Sequence, residues 1–132
     1  MESHTSSQRQ RSVTAALIFY VEAGSHKVFI ETKGVTLERD GIVSFPDAPT
    51  ERGVRHLNEL RQCVAAGYEA HVVFVIQMCD VQYFTPATQI HPAFGEALIA
   101  AEQAGVQIVA FDCSVTEDSL SINQAVQVRI QA

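Results

Sequence analysis

Apolar positions along this chain follow two periods, and the switches between them mark the elements. Residues 13–21 (VTAALIFYV) and 27–32 (KVFIET) are dense in β-branched and aromatic side chains, with Ala23-Gly24-Ser25 between them. That composition around a glycine break predicts a strand, a turn and a returning strand. Residues 37–49 hold Asp40-Gly41, Pro46 and Pro49 and predict a loop. From Pro49 or Thr50 the spacing turns helical. Val54, Leu57, Leu60 and Val64 recur on one face, Arg52, Arg55, His56 and Glu59 form the opposite stripe, and Gly67 closes a helix running to about Ala66. The unbroken apolar run VVFVI in residues 71–76 predicts a strand covered on both sides. A second helix starts near Pro92, buries Phe94, Leu98 and Ala101 and stops at Gly105. Residues 106–115 predict another buried strand. Residues 119–130 end in the alternation Val126, Val128 and Ile130 against Gln127 and Arg129, the pattern of a half-exposed edge strand.

The order strand, strand, helix, strand, helix, strand, strand defines an α/β domain with a mixed β-sheet flanked by helices. Residues 1–12 are polar and aperiodic and predict a flexible N-terminal arm. Residues 13–132 are then one domain, the size expected of a chain of 132 residues.

Composition changes this picture little, and charge changes it more. Hydrophobic residues at 47% and charged residues at 18% suit a folded domain and exclude a disordered one. A formal charge of −6 opposes nucleic acid and anionic membrane over the molecule as a whole. Eight of the nine Lys and Arg residues lie in the first 66 positions, so a basic patch belongs to the first half. Cys63, Cys79 and Cys113 are odd in number and widely spaced, which fits reduced thiols and a cytoplasmic protein better than a disulfide framework or a zinc site. Arg9 and Arg11 ahead of residues 15–21 have the outline of a signal peptide, but Glu22-Ala23-Gly24-Ser25 reads as a turn between strands. No apolar run approaches the roughly 20 residues of a membrane span.

The sharpest chemical feature is Glu31-Thr32-Lys33. In a strand, residues two apart point to the same side, so a carboxylate and an ammonium meet there. Such a pair serves one of two ends: a surface ion pair, or a site in which the carboxylate holds a divalent cation and the ammonium faces water or phosphate. Arg52, Arg55 and His56 open the first helix. They read either as a phosphate-binding group at a helix N-terminus or as a solvated face with Arg55 and Glu59 paired at i, i+4. His26, His71 and His91 read as ordinary residues at a turn, a strand start and a helix start, and Phe19, Tyr20, Phe74 and Phe111 as core.

The surroundings of Glu31 carry a resemblance. FIETKGVTL (29–37) followed by FPDAPTERGVRHLNEL (45–60) is very similar to the most characteristic part of the sugar fermentation stimulation family. Gly67 to Gln77, Phe84-Thr85-Pro86-Ala87 with Ile90, and Ala104-Gly105-Val106 follow in matching order, so the resemblance covers about residues 13–130. It implies the C-terminal, nuclease-like domain of those proteins, with the restriction-endonuclease-like fold of the PD-(D/E)XK superfamily and without their N-terminal barrel. It further implies that Glu31 and Lys33 are catalytic residues, with a magnesium ion shared between Glu31 and an Asp on the preceding strand. Counting back from Glu31, that Asp position falls on Ile18 or Leu17, and the family's second acid is missing.

Three functional readings stand at this point. The first is a degenerate, non-catalytic nuclease-fold module with weak, non-specific nucleic-acid binding or a regulatory role, needing no cofactor. The second is an active magnesium-dependent nuclease in which Asp47 joins Glu31 as metal ligand. The third is a structural or partner-binding domain. Because the resemblance implies a missing barrel, the surface that relatives would cover is expected to be covered by a second copy of the chain, as a homodimer.

Overall fold

The computed structural model describes residues 6–10 and 17–130. β2 (Leu17–Ala23) and β3 (His26–Val35) form the expected hairpin, with Leu17 opposite Thr32 and Ala23 opposite His26. Gly24 sits at the turn with φ 62°, a conformation open to glycine at no steric cost. Residues 13–16 of the expected first strand lie outside the described residues. Within the stretch expected as a flexible arm, β1 (Ser6–Gln10) pairs antiparallel with β2.

The expected loop at 37–49 is instead largely a hairpin. β4 (Leu37–Arg39) and β5 (Ile42–Phe45) are joined at Asp40-Gly41, whose φ angles are 55° and 83°. Two consecutive left-handed residues make the tight turn that matches strand twist, so this dipeptide connects strands where it was read as breaking them. The backbone N–H of Gly41 donates to Glu38 Oε2 at 2.7 Å and secures the turn.

α1 (Glu51–Ala65) is capped by Thr50, whose Oγ1 accepts from the Gly53 N–H at 3.0 Å. Thr50→Ala should therefore cost about 1 kcal/mol, measurable as a lowered midpoint in urea unfolding. The buried residues of α1 are Gly53, His56, Leu57 and Leu60. They form an i, i+3, i+4, i+7 stripe, so His56 belongs to the inner face and not to the solvent stripe where the sequence reading placed it. Counting apolar residues alone missed it, because two of the four inward positions are glycine and histidine.

β6 (Glu69–Ile76) runs parallel to β3, and α2 (Pro92–Ala104) leads into β8 (Gln107–Val115), parallel to β6. Pro92 opens α2, and Gly105 ends it with φ 111°. β7 (Tyr83–Pro86), absent from the sequence reading, and β9 (Leu120–Val128) complete a sheet that has nine strands among the described residues, ordered β1-β2-β3-β6-β8-β9-β7-β5-β4. β9 is therefore not an edge strand. Its Gln127 and Val128 pair with Tyr83 and Phe84 while the rest of it pairs with β8.

The sheet is strongly curled. β6 and β7 are separated by β8 and β9 in the hydrogen-bonded order, yet Phe74 of β6 stacks on Phe84 of β7 at 4.2 Å between ring centroids. Phe45 and Phe94 close the same cluster, 5.2 Å apart. Leu57, Leu60, Leu98 and Ala101 from the two helices pack with Val72, Phe74 and Ile76, all fully or almost fully buried. Val73 and Val75 on the other face of β6 are only half-buried, as is Phe111 on β8. β6 is thus sealed on its helix side alone, and the expectation of cover on both sides fails there.

Candidate functional site

Glu31 and Lys33 lie on β3, on the helix-covered face, beside Val72 and Phe74 of β6. Glu31 is 0% exposed, Lys33 6% and His56 6%. A carboxylate so deeply placed needs a compensating charge or donor, since removing a charge from water costs several kcal/mol. Two side chains supply it at one oxygen. Lys33 Nζ forms an ion pair with Glu31 Oε2, and His56 Nδ1 lies 3.0 Å from the same atom. Lys33 Nζ and His56 Nδ1 are themselves 3.4 Å apart. Nδ1 cannot donate to the carboxylate and accept from the ammonium at once. A lone pair facing Oε2 would be repelled, so Nδ1 carries the hydrogen and donates to Glu31. The short Lys33–His56 separation then reflects two donors sharing one acceptor. The Lys33 ammonium also lies 5.8 Å from the Phe45 ring centroid, within reach of its π face.

Glu31 Oε1 is buried and has no hydrogen-bond partner among the described residues. The cross-strand partner of Glu31 on β2 is Ile18, an aliphatic residue. Opposed residues on neighbouring strands bring their Cβ atoms within about 5 Å, so position 18 is the nearest on β2 from which a second ligand would come. Asp47 lies on the exposed bend after β5 and makes no hydrogen bond or ion pair among the described residues. Arg52 is half-buried and Arg55 exposed on the first turns of α1. Among the described residues, no group of three or more His, Cys, Asp or Glu side chains is arranged to hold a metal ion. A hard divalent cation takes mostly carboxylate and carbonyl oxygens, and one carboxylate whose second oxygen is already bonded is a poor fit.

The sequence reading did not single out Asp112, the other buried carboxylate among the described residues, at 1% exposure. It sits in the row of Ile76 and Val35, four residues along the strands from the row of Glu31. Its Oδ1 accepts from the Gln124 N–H at 3.0 Å where the β8–β9 register shifts, so it satisfies an irregular stretch of backbone. An acid inside the run VQIVAFDC was the available signal. His91 Nδ1 accepts from the Thr50 N–H at 3.1 Å and ties the starts of the two helices together. His71 Nε2 bonds Glu69 at 2.6 Å. The three thiols are free and weakly acidic. Burial and then Glu59 push Cys63 up, Asp80 above all pushes Cys79 up, and burial and then Asp112 push Cys113 up.

Fold and site together define an α/β domain with a curled mixed sheet and a buried acid–base cluster on a central strand. Comparison with known proteins gives that class a family. The chain matches the sugar fermentation stimulation protein RE domain over residues 4–119, and it belongs to this family. The sugar fermentation stimulation protein homolog of Desulfitobacterium hafniense (strain DSM 10664 / DCB-2) is 58% identical over 123 residues, covering 93% of this chain and 54% of that protein. The homolog from Clostridium beijerinckii is 57% identical over 110 residues, covering 83% and 49%. Among solved structures, that of Pyrococcus furiosus SfsA in complex with Ca2+ superposes with a TM-score of 0.83 at 28% identity, covering 93% of this chain and 54% of that one. The chain spans about half the length of the curated relatives it matches. No helix among the described residues is long and apolar enough to cross a membrane.

Proposed function

We propose that this domain is a non-catalytic module of nuclease-like fold that binds nucleic acid weakly, through phosphate contacts at the start of α1. The observation that carries the reading is the state of Glu31: the one carboxylate of the cluster is neutralised from within the chain, by Lys33 and His56 at Oε2. The relative from Pyrococcus furiosus is described in complex with Ca2+. Here the residue paired with Glu31 on β2 is an isoleucine and not an acid, so that position of the strand offers no second carboxylate to a hard divalent cation. Without a resident cation there is no Lewis acid to polarise a phosphate or activate a water.

Binding rests on different groups. Arg52 and Arg55 lie on the first turns of α1, where the exposed backbone N–H groups and the helix dipole also favour an anion. Two or three phosphate contacts against a net charge of −6 give weak, sequence-independent affinity. The test is a pair of measurements on labelled duplex and single-stranded oligonucleotides. With millimolar magnesium or manganese, no cleavage above background is expected, and cleavage abolished by Glu31→Ala would sink the reading. In a salt titration, log affinity should fall with a slope of about −2 to −3, and Arg52→Glu should flatten that slope by about one or more. Tight binding that ignores salt is the opposite result.

A further inference from the structure

We infer that the arm formed by the outer parts of β8 and β9 docks on the same arm of a second copy of this chain, the two β9 strands pairing antiparallel about Ile122. β9 has β8 on one side from Leu120 to Val126, but β7 reaches its other side only at Gln127 and Val128. Residues 120–126 therefore have a strand neighbour on one side alone among the described residues. β6 ends at Ile76, opposite Asp112, and the Cys113 N–H still reaches the Met78 carbonyl at 3.2 Å. Past that point β8 and β9 project from the sheet as a two-stranded arm.

An open strand edge presents unpaired N–H and C=O groups that template pairing with another strand, and proteins blunt such edges with charge, shortness or proline. The outermost strands here are blunted in that way: β4 is three residues long and includes Glu38 and Arg39, and β1 carries Arg9. Leu120–Val128 contains neither a charge nor a proline. Ser121 to Ala125 are all exposed, and Ile122, at 60%, is the one large apolar side chain left open to water among the described residues. The register shift at Asp112 draws the Gln124 N–H inward and bends the arm, yet residues 120–122 stay in unbroken register with β8.

Charge complementarity selects a second copy as the occupant. Antiparallel pairing about Ile122 sets that side chain against the partner's Ile122, with Cβ atoms within about 5 Å, and sets Ser121 against the partner's Asn123. Continued in the same register, Glu117 at the exposed tip of the arm falls beside the partner's Gln127. The Arg129 guanidinium lies there in each copy: its Nη2 is 3.4 Å from Gln127 Oε1, and it stacks on Tyr83 at 4.0 Å from the ring centroid. Arg129 is the only Lys or Arg after Arg61, so the acidic tip meets the single cation of the second half of the chain. Two-fold symmetry makes this contact twice, and an unrelated strand would supply the backbone pairing without it. The contact is small, so the dimer is weak and reversible.

The experiment is sedimentation equilibrium of the full chain over a wide concentration range, at low and high salt. A reversible monomer–dimer equilibrium that weakens with salt is expected. Ile122→Lys places like charges opposite each other at the two-fold axis, and Arg129→Glu sets acid against acid; each should weaken the dimer by about tenfold or more. Both side chains are exposed, so circular dichroism and Tm of the monomer should stay close to those of the unmodified chain. Glu117→Arg should weaken the dimer likewise, and Glu117→Arg combined with Arg129→Glu in one chain should restore it, because each copy then offers the swapped pair to the other. A monomer at every concentration overturns the second copy as occupant, even if the arm accepts an unrelated peptide strand. A dimer indifferent to all three single substitutions places the interface elsewhere and overturns the pairing of β9. Should Ile122→Lys fail to fold, the charge swap decides: a swapped chain as dissociated as its two single variants overturns the register.

Discussion

Lys33→Met should destabilise the folded domain by about 3–5 kcal/mol, the usual cost of removing one partner from a buried ion pair. For a chain of 132 residues that corresponds to a fall in Tm on the order of 10–20 °C. The reason is the environment of Glu31, which is 0% exposed and has one oxygen already without a partner among the described residues. Once the ammonium is gone, the remaining support at Oε2 is the His56 Nδ1–H, and the carboxylate must either stay charged in an apolar surrounding or take up a proton. The companion variant Glu31→Leu/Lys33→Met should recover most of the loss, because removing both charges also removes both desolvation penalties. A double-mutant cycle from urea unfolding measures the coupling. Equal stability of Lys33→Met and the unmodified chain would show that the pair does not hold the fold in solution.

Phe74→Ala is expected to cost a similar ~3–5 kcal/mol, through a cavity instead of a charge. Phe74 is fully buried, stacks on Phe84 and lies 5.8 Å from Phe45 between ring centroids. It also sits beside Lys33 in the β3–β6 register. Its loss therefore opens the seam that brings β7 and β5 across onto β6, and it removes part of the wall against which the ammonium is held. Phe74→Leu retains most of the apolar volume and should cost clearly less. The check is a urea series for the two variants together with near-ultraviolet circular dichroism, where the aromatic signal of Phe74→Ala should fall. If Phe74→Ala melts with the unmodified chain, the stacked cluster is not what closes the curled sheet.

Much of this molecule is written in local periodicity. The apolar spacing of Leu57 and Leu60, the proline at 92 and the glycine at 105 mark the helices, and the helix boundaries found at Glu51–Ala65 and Pro92–Ala104 follow them. Glu31 and Lys33 were legible as a same-side pair because strands alternate with period two. What was not legible had no local signal. Asp40-Gly41 reads as a breaker in sequence, and only the antiparallel partners on either side make it a hairpin turn. β7 is four residues long and gains its identity from pairing with β5 and β9.

The site divides along the same line. The sequence by itself determined that a carboxylate and an ammonium share one side of a strand, that cations cluster at the start of the following helix, and that no acid stands at position 18. Only the tertiary structure decided that His56, 25 residues from Glu31 along the chain, turns inward and donates to it. It alone decided that Phe74 and Phe84 stack across two intervening strands. It also left Asp47, which the sequence offered as a second ligand, on an exposed bend. Periodicity fixes which way a side chain leaves its own element. Which elements then face one another depends on how the whole chain buries its apolar surface, and that balance is settled over contacts no short window of sequence contains.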